Sequence, residues 1–261
     1  MKSALFTTHA DLALPLWESN VDTIYYYNDE LPDTFPQFDK VYFRDPFNDT
    51  EDPTLDSRLE EITTRFFHDN PNCYSIDHIH TVEDFYVEDK WRQFYQFGSD
   101  FMPETWLARE REFTPGEMVV KKRISCRCRD VHFEIPEDVN LDSYIVQRRV
   151  NIIQEMRVFY LNGQVFRTAE TRTSKTENSG VKVLGEIQLT DEQMNFVAKA
   201  MTKFPELDFI GADLAVLDDG SFAIIEINRS PQFKRFYEVT NINLAELVFW
   251  RRFHNRCIIL N

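Results

Sequence analysis

The sequence predicts an α+β or α/β protein: a small N-terminal α/β unit followed by a larger, strand-rich part. Three observations carry this. Over roughly the first 85 residues, short β-branched and aromatic runs alternate with one stretch of helical period. Further on, two strand pairs are joined by Asn162-Gly163 and Asp219-Gly220, the dipeptides that favour tight hairpins. Between those hairpins Thr190 opens a helix with Met194, Val197, Ala198 and Met201 on one face.

Taken in order, Val21–Tyr27 reads as a strand stopped by Asn28-Asp29, and Val41–Arg44 as a second stopped by Asp45-Pro46. Thr54 to Phe67 has helical spacing at Leu55, Leu59, Ile62 and Phe66. Asp77-His78-Ile79-His80 reads as a surface strand with both histidines on one face. Asp84 to Phe101 reads as one connecting helix, its Phe94, Phe97 and Phe101 at core spacing. Glu117–Lys121 and Tyr144–Gln147 are short strands, and Glu155–Leu161 turns at Asn162-Gly163 into Gln164–Arg167. A last helix begins near Asn243, and Arg251-Arg252 on it is a solvated face.

Composition removes several function classes. At 261 residues the chain is long enough for one large domain or two modest ones. It has 7 glycines, at 98, 116, 163, 180, 185, 211 and 220, so no G-x-G-x-x-G fingerprint exists. Gly180 and Gly185 have P-loop spacing, but Glu186-Ile187 follow where Lys and Ser/Thr are required. A nucleotide, if bound, is held another way. The net charge of −15 argues against a nucleic-acid partner. Cys73, Cys126, Cys128 and Cys257 contain no Cys-x-x-Cys pair, so a zinc ribbon is not expected, and Cys126 and Cys128 are read as buried or half-exposed thiols. The apolar run after Lys2 stops at Thr7-Thr8-His9, and no run approaches the ~20 residues of a membrane span. A cytoplasmic protein with no membrane partner is expected.

The most informative segment is Gly211 to Pro231. A symmetric hairpin about Asp219-Gly220 pairs residues whose numbers sum to 439, which sets Asp213 opposite Glu226, with Asn228 on Glu226's face. Leu214, Val216, Ile225 and Ile227 then form one apolar face and Leu217, Phe222 and Ile224 the other. Two facing carboxylates repel unless a cation lies between them. Oxygen ligands of this kind suit Mg²⁺, which shares its shell with waters and phosphates.

Asp213, Asp219-Gly220 and Glu226-Ile227-Asn228-Arg229-Ser230-Pro231 together resemble the metal-binding hairpin of the ATP-grasp superfamily, of the carboxylate–amine/thiol ligase type that includes ribosomal-protein glutamate ligase and peptide ligases. Other segments resemble the family in its order. Val119-Val120-Lys121 is similar to the strand whose Lys reaches the α/β-phosphates. Glu88-Asp89-Lys90-Trp91 is similar to the helix with a second phosphate-facing Lys, and Met102-Pro103-Glu104-Thr105 to the start of the ATP-binding part. Tyr144 to Val150, with Gln147, Arg148 and Val150, resembles the hinge that reads adenine through backbone groups. Glu155 in Glu155-Met156-Arg157 resembles the ribose-holding acid. Arg172 in Val165–Arg172, with Lys175, resembles the pair that stabilises the transferred phosphoryl group. Two departures stand out. Arg148 replaces the usual hinge acid, and the loop after Lys121 has no glycine. In that loop Arg123, Arg127 and Arg129 are either phosphate donors or a solvated face.

The resemblance implies an ATP-grasp fold of two α+β subdomains, about 83–142 and 143–261, clasping ATP behind a small α/β domain over 1–82. It implies ATP and Mg²⁺, as two ions with Mn²⁺ as an alternative, held by Asp213, Glu226 and Asn228. The implied reaction activates a substrate carboxylate as an acyl phosphate and couples it to an amine. The carboxylate belongs to a small molecule or a peptide, and a homodimer is admitted. Alternatives are an ATP-grasp phosphotransferase and a nucleotide-binding interaction module without turnover. Arg44 stands where it either meets an acidic substrate or caps a turn.

Overall fold

The computed structural model describes residues 1–44, 54–125, 131–173 and 183–250. The first unit is a four-stranded parallel sheet. Its elements are β1 (Ser3–Thr7), α1 (Leu14–Glu18), β2 (Thr23–Tyr26), β3 (Lys40–Phe43), α2 (Leu55–Asp69) and β4 (Tyr74–Ser75), with strand order β2-β1-β3-β4. All five residues of β1 are buried, as expected of a parallel strand covered on both faces. Leu59, Ile62 and Phe66 of α2 are buried, as their spacing predicts. Phe6 of β1 lies 4.8 Å from Phe43, 5.0 Å from Tyr25 and 5.5 Å from Phe66, ring centre to ring centre. Each such pair adds about 0.5–1.5 kcal/mol beyond its buried area.

Two expectations in the connecting segment are corrected. Asp77 and His78 have φ of 61° and 52°, inside a short 3₁₀ turn rather than a strand. Asp77 Oδ1 accepts hydrogen bonds from the backbone of Asp208 (2.7 Å) and Phe209 (2.8 Å). The turn therefore exists to deliver a carboxylate to those donors. The single helix expected over 84–101 is two pieces, a 3₁₀ segment Val82–Glu88 and α3 (Lys90–Phe97). Asp89 between them is extended (ψ 114°), and its carboxylate caps α3 by accepting from Trp91 N at 2.9 Å. Gly98, at φ +70°, ends α3 before Phe101.

The second sheet is antiparallel, in the order β5-β8-β6-β7, from β5 (Thr105–Leu107), β6 (Met118–Lys122), β7 (Val131–His132) and β8 (Tyr144–Arg148). Because β8 lies inside this sheet, the chain passes to the next one after residue 148 rather than near 142.

The third sheet takes β9 (Ile152–Leu161), β10 (Gln164–Val165), β11 (Thr168–Arg172) and β12 (Val183–Gln188), then, after α4 (Asp191–Met201), β13 (Phe209–Leu217) and β14 (Phe222–Asn228). Asn162 and Gly163 have φ of 49° and 84°, the left-handed pair that a type I′ hairpin needs. Thr190 and Gln193 form the capping box of α4. One face of the sheet packs on α3 and α4 through Phe97, Phe101, Val197, Leu214, Ile224 and Ile227. On the opposite face Phe159 and Phe209 pack against α5 (Lys234–Thr240), α6 (Leu244–Trp250), and Trp17 and Tyr42 of the first unit. That cover reaches only one end of the face. The other end carries charged residues. Arg251 and Arg252 lie outside the described residues.

Candidate functional site: a charged row across the third sheet

β13 and β14 pair Gly211 with Asn228 and Asp213 with Glu226, as the turn symmetry predicts. Beyond Asp213 the register slips by one, so Leu214 faces Ile224. This bulge corrects the expected apolar faces. Ile224 and Phe222 join Leu214, Val216 and Ile227 in a single core, and Ile225 turns away.

On its other side Asp213 lies opposite Arg157 of β9, and Arg157 lies opposite Glu170 of β11. One row across four strands thus reads Glu170, Arg157, Asp213, Glu226. The next row on the same face brings Arg172 opposite Glu155. Arg157 holds Asp213 with a two-point fork, Nε to Oδ1 at 2.7 Å and Nη2 to Oδ2 at 2.8 Å. Arg172 adds Nη1 to Asp213 Oδ1 at 3.3 Å and Nη2 to Glu170 Oε2 at 3.1 Å. Burial alone would raise the Asp213 pKa, but the Arg157 and Arg172 charges outweigh it and hold the carboxyl below its ordinary value. Two buried atoms in this network, Glu170 Oε1 and Arg172 Nε, have no partner among the described residues.

Gly211 makes room for this arrangement. A Cβ there would stand 2.6 Å from Pro231 Cβ and 3.2 Å from Arg157 Cδ. Any side chain at 211 would push the Arg157 stem off the row.

Glu226 and Asn228 sit at the edge of the row. Asn228 Nδ2 donates to Glu226 Oε1 at 3.3 Å, which leaves the Asn228 carbonyl oxygen for a ligand. Glu226 Oε2 is 3.6 Å from Lys90 Nζ. Lys90 opens α3, which is fixed to β14 by Gln93. Its amide accepts from Ile227 N at 2.9 Å and donates to Ile227 O at 2.8 Å, completing the edge as a strand would. Lys121 of β6 is buried, and its Nζ donates to Gln147 Oε1 at 2.7 Å. Gln147 in turn donates to Thr105 Oγ1 at 2.9 Å. The Gln147 side chain therefore aims Lys121, while its backbone lies in the ladder between β5 and β6. Arg148 N donates to Glu104 O and its guanidinium pairs with Glu104, both outside the row. Val150 has no backbone hydrogen bond among the described residues, so its peptide groups are free to meet a ligand.

Of the loop arginines, Arg123 is tied to the Asp89 carboxylate (Nε to Oδ2 3.1 Å) and to Asp142 O (3.1 Å), so it braces the start of α3. Lys175, Arg127, Arg129, Cys126 and Cys128 lie outside the described residues. Arg44 is fully buried on Asp11, which decides its role as structural. Arg157 and Glu170 were quoted within motifs but given no role by the sequence. No group of three His, Cys, Asp or Glu side chains suited to a metal occurs among the described residues. The hard-oxygen donors that fit a cation are Glu226, the Asn228 carbonyl and Asp213, whose Oδ2 accepts one hydrogen bond and keeps a lone pair.

The sequence matches the ATP-grasp domain, R2K clade family 3, over residues 73–238, well over half of the chain and every site residue described above. The chain belongs to the ATP-grasp family. Solved structures with the same fold include the ATP-grasp ligase PsnB in complex with a minimal precursor (TM-score 0.65, 14% identity, 95% of this chain and 98% of that one). They also include the D-cycloserine synthetase DcsG (TM-score 0.65, 18% identity, 95% and 100%). A third is the macrocyclase MdnC from Microcystis aeruginosa MRC, bound to the precursor peptide MdnA (TM-score 0.63, 13% identity, 95% and 99%). No curated protein matches the sequence. The ATP-grasp assignment accounts for the three sheets: two antiparallel ones, with Lys90 of α3 3.6 Å from Glu226, and the small parallel one of the first unit. No described helix is long and apolar enough to cross a membrane.

Proposed function

We propose that the protein is an ATP- and Mg²⁺-dependent ligase that activates a substrate carboxylate as an acyl phosphate and joins it to an amine. The observation that carries this is the meeting of Glu226 and Asn228 with Lys90 at the edge of a row that also holds Arg157, with Arg172 reaching Asp213 from the next row. Anion-binding and cation-binding groups stand side by side, as a polyphosphate with its counter-ion requires. When bound, Mg²⁺ draws negative charge off the phosphates.

The chain's own residues do the rest. Asp213, Glu226 and Asn228 Oδ1 hold the ion. Lys90 and Lys121 neutralise phosphate oxygens, with Lys121 aimed by Gln147. Val150 offers its peptide groups to the adenine, and Glu155 faces the ribose. Arg172, with Lys175, holds the γ-phosphoryl group as the carboxylate attacks phosphorus and the bond to ADP breaks. The amine then attacks the acyl carbon, phosphate leaves, and the amine loses a proton to give the amide. The first unit, 1–82, covers one end of the face and bounds the acceptor side. PsnB and MdnC are solved with precursor peptides, which favours a peptide as the carrier of the carboxylate.

The test is Mg²⁺-dependent ADP release with carboxylate-bearing peptides, run with hydroxylamine in place of the amine. A hydroxamate establishes the acyl phosphate. ADP release without hydroxamate assigns a phosphotransferase instead. Tight ATP binding with no ADP release across the substrate panel assigns a module without turnover.

A further inference from the structure

Asp89 interrupts a stretch whose apolar spacing would let a helix run on. Its extended backbone (ψ 114°) separates the 3₁₀ segment Val82–Glu88 from α3, and its side chain is buried. A buried carboxylate has to be paired. Donors from two separate parts of the chain meet this one. Trp91 N donates at 2.9 Å, and Arg123 Nε lies 3.2 Å from Oδ1 and 3.1 Å from Oδ2, with Nη2 donating to Oδ2 as well.

Arg123 follows β6, two residues after Lys121. Its main chain is held too. Arg123 N donates to Ser143 O at 2.8 Å, and Arg123 O accepts from Lys90 N at 3.0 Å, one of the amides that a helix start leaves unpaired. Ile124 packs on the core of the first unit. Ser125 O and Oγ both accept from Lys90 Nζ at 3.3 Å, and the same ammonium is 3.6 Å from Glu226 Oε2. Lys90 therefore stands between the residues that follow β6 and the edge of β14. Gln93 ties α3 to β14 through Ile227. By that tie alone Lys90 would follow the third sheet, while Lys121 follows the second.

We propose that Asp89 is a positioning residue for the phosphates: through Arg123 it sets Lys90 of α3 against Lys121 of β6, so that both ammonium groups meet one polyphosphate from fixed places. The role rests on the ATP reading proposed above. Asp89 itself does not touch the nucleotide. Glycine at 123–125 would give this segment freedom to move. Here side-chain bonds hold it, so the lysines are in place before the nucleotide arrives, and less ordering is needed on binding.

The test compares ATP and adenosine on the full chain with Mg²⁺ present, ATP by calorimetry and adenosine by ligand-observed NMR, which reads weak binding. Asp89→Asn keeps an oxygen for the Trp91 amide, so the cap of α3 survives, but loses the charge that holds Arg123. ATP affinity is expected to fall about tenfold, the loss of one charge-assisted bond, with adenosine affinity unchanged. Arg123→Gln leaves the cap untouched and is expected to give the same loss, and the double variant no more than either single one. If Asp89→Asn fails to fold, Arg123→Gln decides alone. Equal losses for ATP and adenosine would make the pair a purely structural tie and overturn the proposal. Unchanged or tighter ATP binding would overturn it too, as would losses that add in the double variant. Failure of the unaltered chain to bind ATP would instead overturn the ATP reading, and the role of Asp89 with it.

Discussion

Two arginine–carboxylate forks in this molecule have nearly the same closest approach and opposite surroundings. Arg44 and Asp11 meet at 2.6 Å with both side chains fully buried. Asp11 also accepts from Thr7 Oγ1, Ala13 N and Gln232 Nε2, while Arg44 donates to Pro231 O and lies over the rings of Trp17 and Phe233. Burial pushes the Asp11 carboxyl up, but the Arg44 charge and these bonds leave it below its ordinary value. Arg157 and Asp213 instead stand in a row of other charges, with Glu170 Oε1 and Arg172 Nε unpartnered nearby. The first fork is closed by neutral donors from two units and binds them together. The second stands among further charged side chains at the open end of a sheet face. What separates a structural ion pair from a functional one here is the company it keeps, since the closest distances differ by only 0.1 Å and the looser second arm, 3.4 Å against 2.8 Å, belongs to the fully buried pair.

The sharpest way to break the comparison is to remove one partner of the closed fork. Arg44→Met leaves Asp11 buried and unpaired, with an expected loss of about 3–5 kcal/mol of stability. Adding Asp11→Leu removes the stranded charge and is expected to restore a substantial part of it. Urea unfolding of both variants measures this. A loss below about 1 kcal/mol in Arg44→Met would mean that the fork contributes little to joining the units.

At the open end the expected effect moves from stability to chemistry. Glu226→Gln keeps the shape but removes the charge that holds the ion, so ADP formation should fall by about 10²-fold or more. Its midpoint of thermal unfolding should stay within a few degrees, because Glu226 is partly exposed and not part of a closed network. A variant that unfolds instead, or that keeps full activity, would erase the contrast between the two forks.

The hairpin carrying Glu226 was legible because Asp219-Gly220 fixes its symmetry, and only the bulge after Asp213 escaped. The Arg157–Glu170 contact was not legible, for a comparable reason one hairpin away. The Asn162-Gly163 turn pairs Leu161 with Gln164, and the same register carried on would set Arg157 opposite Thr168. The ladder breaks between β10 and β11, and Glu170 arrives there instead. Residues that reach a site through a register shift leave no periodic trace. β1 was missed because a strand buried on both faces has no alternation to read. The break at Asp89 was missed because a cap inside an apolar periodic stretch competes with the helix only through a side-chain bond.

A third pairing completes the comparison. Asp77 and Arg229 are both buried between the units, close enough for their charges to interact, yet without a hydrogen bond between them. Asp77 Oδ2, and Arg229 Nε and Nη2, have no partner among the described residues. Here burial outweighs the arginine, and the carboxyl is pushed up to about 7. A folded-state value above the unfolded 3.8 means that folding takes up a proton between the two. Stability from this group is therefore present below about pH 4 and is lost as pH rises towards 7. Asp11 and Asp213, whose values are lowered, act oppositely and only below about pH 4, so the windows do not overlap. Asp77→Asn keeps an oxygen for the Asp208 and Phe209 backbone donors and removes the titration. Unfolding free energies at pH 5 and pH 7.5 should differ by about 2.5 kcal/mol less in the variant than in the unaltered protein. Equal differences in the two would mean that Asp77 is ionised throughout, and that Arg229 holds it as Arg44 holds Asp11, without needing the fork.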